Sequence, residues 1–189
     1  MSHPTFLSVA VLAATLIGCG STTDPDEIPS GTATGSLDIL LDATPDTNDA
    51  PIAGVEEVWV RFEDVRVRSE AEGWLTIGDD RRDIDLMELR GGSAMSIGSD
   101  DVFEGSYDAV SLVIADSWII VDGEQWELAI ERGPGVAGSG DAIQFNVDYW
   151  VDENTNTSVR IEWDLDTELS GSDQAWTLRS TVDIDVSLD

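Results

Sequence analysis

The sequence predicts an all-β chain, an antiparallel two-sheet β-sandwich of the Ig-like or transthyretin-like kind. Three observations carry that expectation. Apolar residues alternate with polar ones along successive short segments, most clearly at Ile143, Phe145, Val147, Tyr149 and Val151, which is the period-two signature of a strand with one buried face. Turn-forming residues interrupt these segments every 8–12 residues or so, as sandwiches require. No amphipathic helix of useful length competes with them.

Taken in order, Leu37, Ile39 and Leu41 alternate first, and Asp42 to Ala50 follows as a turn-rich loop. Val55 to Arg68 comes next, with Val58, Val60 and Phe62 on one parity and Val65 and Val67 on the other. Side chains alternate strictly between faces, so this strand must bulge near Glu63 and Asp64 or bend onto the second sheet. Gly73 to Ile77 and Asp83 to Leu89 are expected as short strands, and Arg90 to Asp101, with three glycines, as a loop or one helical turn. Val110, Leu112 and Ile114 form a strand, followed by Trp118 to Val121 as another. The Asp122-Gly123 pair then predicts a hairpin into Trp126 to Ile130. Gly133 to Gly140 is glycine-rich and reads as an exposed loop. The last strands are Ile143 to Val151, then Val159, Ile161, Trp163 and Leu165, then Trp176, Leu178, Val182, Ile184 and Val186. Eight to ten strands are expected, roughly what one sandwich of this length holds.

The chain has 189 residues, 41% of them hydrophobic, enough to build a core despite a net charge of −30 from 39 acidic and 9 basic residues. Every basic residue is Arg; Lys is absent. Self-repulsion on that scale destabilises a compact state, and salt relieves it by shortening the Debye length from about 8 Å at physiological strength to about 3 Å at 1 M. An acidic, lysine-free surface therefore resembles those of proteins from saline habitats. The same field excludes nucleic acid as a partner.

At the N-terminus an apolar run from Phe6 to Ile17 is too short to span a bilayer. It ends in Leu16-Ile17-Gly18-Cys19, which resembles the lipobox of a bacterial lipoprotein precursor. The resemblance implies cleavage after Gly18 and acylation of Cys19, so that acyl chains on Cys19 hold the protein on the membrane. Gly20, in place of Asp, resembles the rule for sorting to an outer membrane. The expected organisation is a signal peptide (1–18, its apolar part helical), a flexible tether (19–34) rich in Ser, Thr, Asp, Pro and Gly, and a β-sandwich domain (35–189). The expected location is extracytoplasmic, at the outer membrane or cell surface, with the protein a monomer.

Beyond the tether, Gly35-Ser36-Leu37, Leu41-Asp42-Ala43, the run Val58 to Val67, Gly73-Trp74, Asp83 to Leu89 and Gly105-Ser106-Tyr107 leading into Val110-Ser111-Leu112 resemble the family known as domain of unknown function 4382. That resemblance covers roughly Gly35 to Leu188 and implies a β-sandwich in a secreted lipoprotein. It implies no activity.

Chemistry is bounded by elimination. His3 is the only histidine and leaves with the signal, Cys19 is the only cysteine, and Lys is absent. A serine triad, a Cys-His pair, a Schiff-base lysine and a His/Cys zinc site are all excluded from the mature domain. Carboxylates and aromatic faces remain. Calcium takes oxygen ligands, and Asp152, Asn154 and Asn156 repeat at the first, third and fifth positions of an EF-hand-like loop, although Thr157 stands at the sixth and Trp163 at the twelfth. The same residues are also common turn formers. Asp46, Asn48 and Asp49 form a weaker second cluster of oxygen ligands. Of seven tryptophans, Trp163 and Trp176 share the parity of core residues, whereas Trp59 and Trp150 fall on the outward parity; an outward indole stacks on a sugar face or is covered by a loop. The leading expectation is a non-catalytic binding or structural module whose partner is a surface glycan or an envelope protein. No cofactor is assigned, and calcium is the one ion left open. A calcium- or carbohydrate-binding adhesion domain is the sharper form of it. A carboxylate-dependent glycosidase is the remaining enzyme class.

Overall fold

The computed structural model describes residues 33–43, 54–78, 81–133, 136–138, 140–172, 175–180 and 182–188. The lipobox residues Leu16, Ile17, Gly18 and Cys19, almost all of the tether and the cluster Asp46, Asn48 and Asp49 lie outside the described residues.

Two long strands form the spine. β2 (Val55–Ser69) and β6 (Gly105–Val121) pair antiparallel along nearly their whole length. Both carry apolar sets that change parity, and both solve the mismatch in the same place. Arg61 pairs Asp116, Phe62 pairs Ile114 and Asp64 pairs Val113, so Ala115 bulges from β6 and Glu63 from β2, one on each side of Phe62. The two extra residues cancel in register, and each turns its strand over. As a result Val58, Val60, Phe62, Val65 and Val67, together with Val110, Leu112, Ile114 and Ile119, all face the core and are buried. The bulge expected at Glu63 and Asp64 is therefore present, and the segments 110–114 and 118–121 are one strand instead of two.

β3 (Gly73–Thr76) and β4 (Arg82–Asp85) pair successive halves of the free edge of β2. The strand expected over 83–89 stops at Asp85. There the carboxylate Oδ1 accepts from the backbone N–H of Met87 at 3.0 Å and of Val58 at 2.9 Å, capping a 3₁₀ turn over Leu86–Leu89. On its other side β6 pairs β8 (Ala142–Val151) along its first half and β7 (Glu124–Glu131) at its end. The β6–β7 hairpin closes at Asp122 and Gly123, both at positive φ, as the Asp-Gly pair predicts. β7 then continues into β11 (Ala175–Arg179) and β10 (Leu169–Ser172), completing an eight-stranded sheet.

The second sheet has four strands in the order β12 (Val182–Leu188), β9 (Asn156–Trp163), β1 (Thr34–Asp42) and β5 (Met95–Phe103). The segment 90–101, expected as a loop, supplies most of β5. Its strand pattern is faint because only Ile97 and Val102 turn inward as buried aliphatics. Its glycine has a packing reason: a Cβ on Gly98 would sit 2.6 Å from the carbonyl oxygen of Ile77, a separation only glycine permits. The residues 176–186, read as one set, divide between β11 and β12 in different sheets, and Leu165 is buried from a four-residue helix α1 (Leu165–Glu168) instead of from β9.

Pairing is antiparallel except between β1 and β9 and between β7 and β11, which are parallel. Such pairs need long crossover connections, and here the chain passes through the opposite sheet between their members. The inner faces meet over one core in which Leu37, Ile39, Leu41, Val159, Ile161 and Trp163 face the spine strands. At the β5–β6 corner the hydroxyl of Tyr107 donates to the carbonyl of Phe103 at 2.9 Å, while its ring stacks on Tyr149 with centroids 5.4 Å apart. This geometry is that of the tyrosine corner of sandwiches. Trp163 is fully buried, but Trp176 is only half-buried. Its strand lies near the edge of the larger sheet, and its ring packs over Gly171, where a Cβ would collide with the indole.

Candidate functional site

Core packing occupies the inner face of the large sheet, which leaves its outer face to solvent. On β2 the outward positions are Glu57, Trp59 and Arg61 before the bulge, and Asp64, Arg66 and Arg68 after it. Their neighbours follow from register. Trp59 lies opposite Trp118, and Arg68 lies between Trp74 and Ala109, which in turn pairs Asn146. Four of the seven tryptophans (Trp59, Trp74, Trp118 and Trp150) and three of the nine arginines therefore share one surface.

Toward one end, the Trp59 and Trp118 rings stack at 5.8 Å with 13° between planes. The Trp59 Nε1 donates to the Glu57 carboxylate at 2.5 Å, and the Arg61 guanidinium lies over Trp118 at 5.4 Å. Arg61 makes a two-pronged pair with Asp83 at 2.6 and 2.8 Å and approaches Asp116 at 3.6 Å. Hydrogen bonding from Arg61 holds the Asp83 carboxyl below the ordinary carboxylate value, and the same bond raises the guanidinium. Each ring here has a partner, so the cluster is a packed unit.

The other end is open. Arg68 holds Asp108 through two bonds of 2.6 and 2.9 Å and lies over the Trp74 ring at 5.5 Å. Trp74 remains 42% exposed and Trp150 51%. Arg66 pairs with Asp64 between the two ends. On the β8 part of this face Gln144 Nε2 donates to Asn146 Oδ1 at 3.0 Å, placing two side-chain amides between the levels of the two ends.

Trp59 and Trp150, singled out from parity, are on this face but not together. Trp59 is level with Trp118 and Trp150 with Ser106, 118 − 106 = 12 residues along β6, or about 40 Å at a strand's rise. Sequence reasoning missed Trp74, Trp118 and the arginines. Extending the outward parity across the bulge would have found Arg61, Arg66 and Arg68, whereas their aromatic neighbours depend on register.

Where β6 exchanges β8 for β7 the sheet forks, leaving a cleft of about 280 Å³. Asp116, Glu127 and Asp141 stand among its lining, with Ser117 bridging the gap by donating to the carbonyl of Leu128 at 2.6 Å. The residues Asp152, Asn154 and Asn156 lie where the chain crosses from β8 to β9. The carbonyl of Asp152 accepts from both the N–H and the hydroxyl of Thr155 at 3.4 and 2.9 Å, Asn154 adopts positive φ, and its N–H donates to Thr34 at 3.0 Å. These are turn interactions tying the crossing to β1. Among the described residues no three His, Cys, Asp or Glu side chains are grouped to hold a metal ion.

Asp85, which pairs Trp59 in register from β4, is nearly buried. Burial raises its carboxyl above the ordinary value, partly offset by the two backbone donors, Val58 and Met87. A raised folded-state value favours the protonated fold, so this group's contribution is complete below about pH 4 and is lost as pH rises through the raised value. Replacing Asp85 by Asn keeps an acceptor and removes the titration. In urea melts at pH 7 and pH 4.5 the wild type is expected to gain more stability on acidification than Asp85→Asn; equal gains would refute a raised Asp85. Asp83 is shifted the other way and titrates below that window.

A family model described as a domain of unknown function (DUF4382) matches residues 46–180. No curated protein and no solved structure shows a significant match.

Proposed function

Since the chain belongs to the family described as a domain of unknown function (DUF4382), we propose that it is a lipid-anchored, extracytoplasmic binding module that works without catalysis. Acyl chains on Cys19 hold it at the outer membrane or cell surface, and the outer face of its large sheet engages a glycan of the cell envelope. The concentration of four tryptophans and three arginines on that single face carries this reading. Indole faces stack on the apolar faces of sugar rings, while planar amide, carboxylate and guanidinium groups bond the hydroxyls. The elimination of histidine, lysine and a free cysteine from the mature domain supports binding over turnover.

The anchor is tested by mass spectrometry of the protein purified from its native membrane. A chain beginning at an acylated Cys19 is expected, and an unprocessed Met1 with a free thiol would overturn it. Incubation with polysaccharides should release no reducing ends; release that persists through repurification would overturn the non-catalytic reading.

A further inference from the structure

We propose that the half of this face between Trp74 and Trp150 is the ligand track and that it takes a neutral oligosaccharide, whereas the Trp59–Trp118 half supports the fold. The inference rests on the glycan-binding reading above and narrows it to a subsite and a ligand class.

Exposure separates the two halves. Trp59 and Trp118 cover each other, and Arg61 covers part of Trp118; Trp74 and Trp150 are about half exposed. β3 and β8, which carry them, are separated by β2 and β6, three strand spacings or about 14 Å, and Trp150 sits a few residues further along. The two rings therefore bracket a track about 15–20 Å long, the length of a short oligosaccharide.

The floor of the track sets the ligand class. It consists of the Arg68–Asp108 pair, Ser106, Asn146 and Asp148, polar groups standing between two aromatic ends. Among the described residues the other exposed large hydrophobics, Met95 and Leu188, belong to the small sheet. The track thus lacks the aliphatic centre of a protein interface. Its arginines are matched by carboxylates, Arg68 by Asp108 and Arg66 by Asp64, inside a chain of net charge −30. A polyanion would be repelled. An uncharged chain of sugars meets no such barrier, and its alternating CH faces and hydroxyls match rings and planar polar groups.

Native affinity electrophoresis of the full mature chain through gels containing a β-glucan, a mannan, a xylan or the acidic polymer alginate tests this. Retardation by at least one neutral polymer and not by alginate is expected. Trp74→Ala and Trp150→Ala should each weaken it about tenfold with only small changes in melting temperature, since about half of each side chain is exposed. Trp118→Phe, which keeps an aromatic in the stack, should bind as the wild type does. Retention of binding in Trp74→Ala and Trp150→Ala, or its loss in Trp118→Phe, would overturn the track and leave the glycan reading standing. Binding to alginate alone would overturn the neutral class. Binding to none of the four would overturn both the track and the glycan reading.

Discussion

Truncating Trp163 to alanine is expected to cost about 3–5 kcal/mol, the range for removing a fully buried tryptophan. The indole ends β9 and is wholly enclosed in the core between the sheets. Its Nε1 has no hydrogen-bond partner, so the loss is one of packing and cavity formation. Domains of this size are stable by about 5–15 kcal/mol in total, and the variant should stand near the edge of folding. Trp163→Phe isolates the cause, because it retains an aromatic volume and removes the unpartnered donor. It should cost clearly less than the alanine variant. Urea titration at constant m-value measures both. A loss below about 1 kcal/mol for the alanine variant would mean that the ring does not hold the sheets together.

Raising sodium chloride from 0.1 to 1 M is expected to raise the melting temperature by about 4–8 °C, equivalent to about 2 kcal/mol for a domain of this size. The positive charge is already engaged. Seven of the nine arginines are in ion pairs, and Arg82 and Arg132 donate to the backbone carbonyls of Ser96 and Gly140. The excess of 39 − 9 = 30 carboxylates remains. Within the small sheet acidic residues stand side by side in register: Asp42 pairs Glu162, and Glu162 pairs Asp183. Like charges directly across a ladder destabilise it. Asp42 is the sharpest case, almost fully buried, with Arg160 approaching no closer than 3.6 Å. Salt weakens the ion pairs as well, but exposed pairs are worth little, and repulsion within a chain of net charge −30 is larger. Asp183→Asn should therefore melt higher than the wild type in 0.1 M salt and gain less on reaching 1 M. A wild-type melting temperature that is flat or falls with salt would refute net repulsion as the dominant surface force.

Particular residues mark how far the fold and the surface could be read in advance. The parity change from Phe62 to Val65 demanded a bulge, and Glu63 supplies it, because alternation is a local property that any strand must obey. The hairpin at Asp122-Gly123 was legible for the same reason. β5 was not: Gly98 looks like a loop residue until Ile77 is seen lying against it. The join of 110–114 with 118–121 depends on Ala115 bulging opposite Phe62, which requires knowing that β2 is the partner. For the surface, parity placed Trp59 and Trp150 outward. It said nothing of the distance between them, nor that Trp118 covers one and that Trp74 shares the other's end of the face.

By itself the sequence determined the all-strand class, the faces on which side chains fall, the net charge and the residue types available for chemistry, because each depends on residue type or on neighbours a few positions away. Tertiary structure alone decided which strands are partners, that two pairs run parallel, and which tryptophans stand open beside which arginines. Those outcomes depend on register between segments tens of residues apart, and a single-residue slip would turn every side chain of a strand to the opposite face.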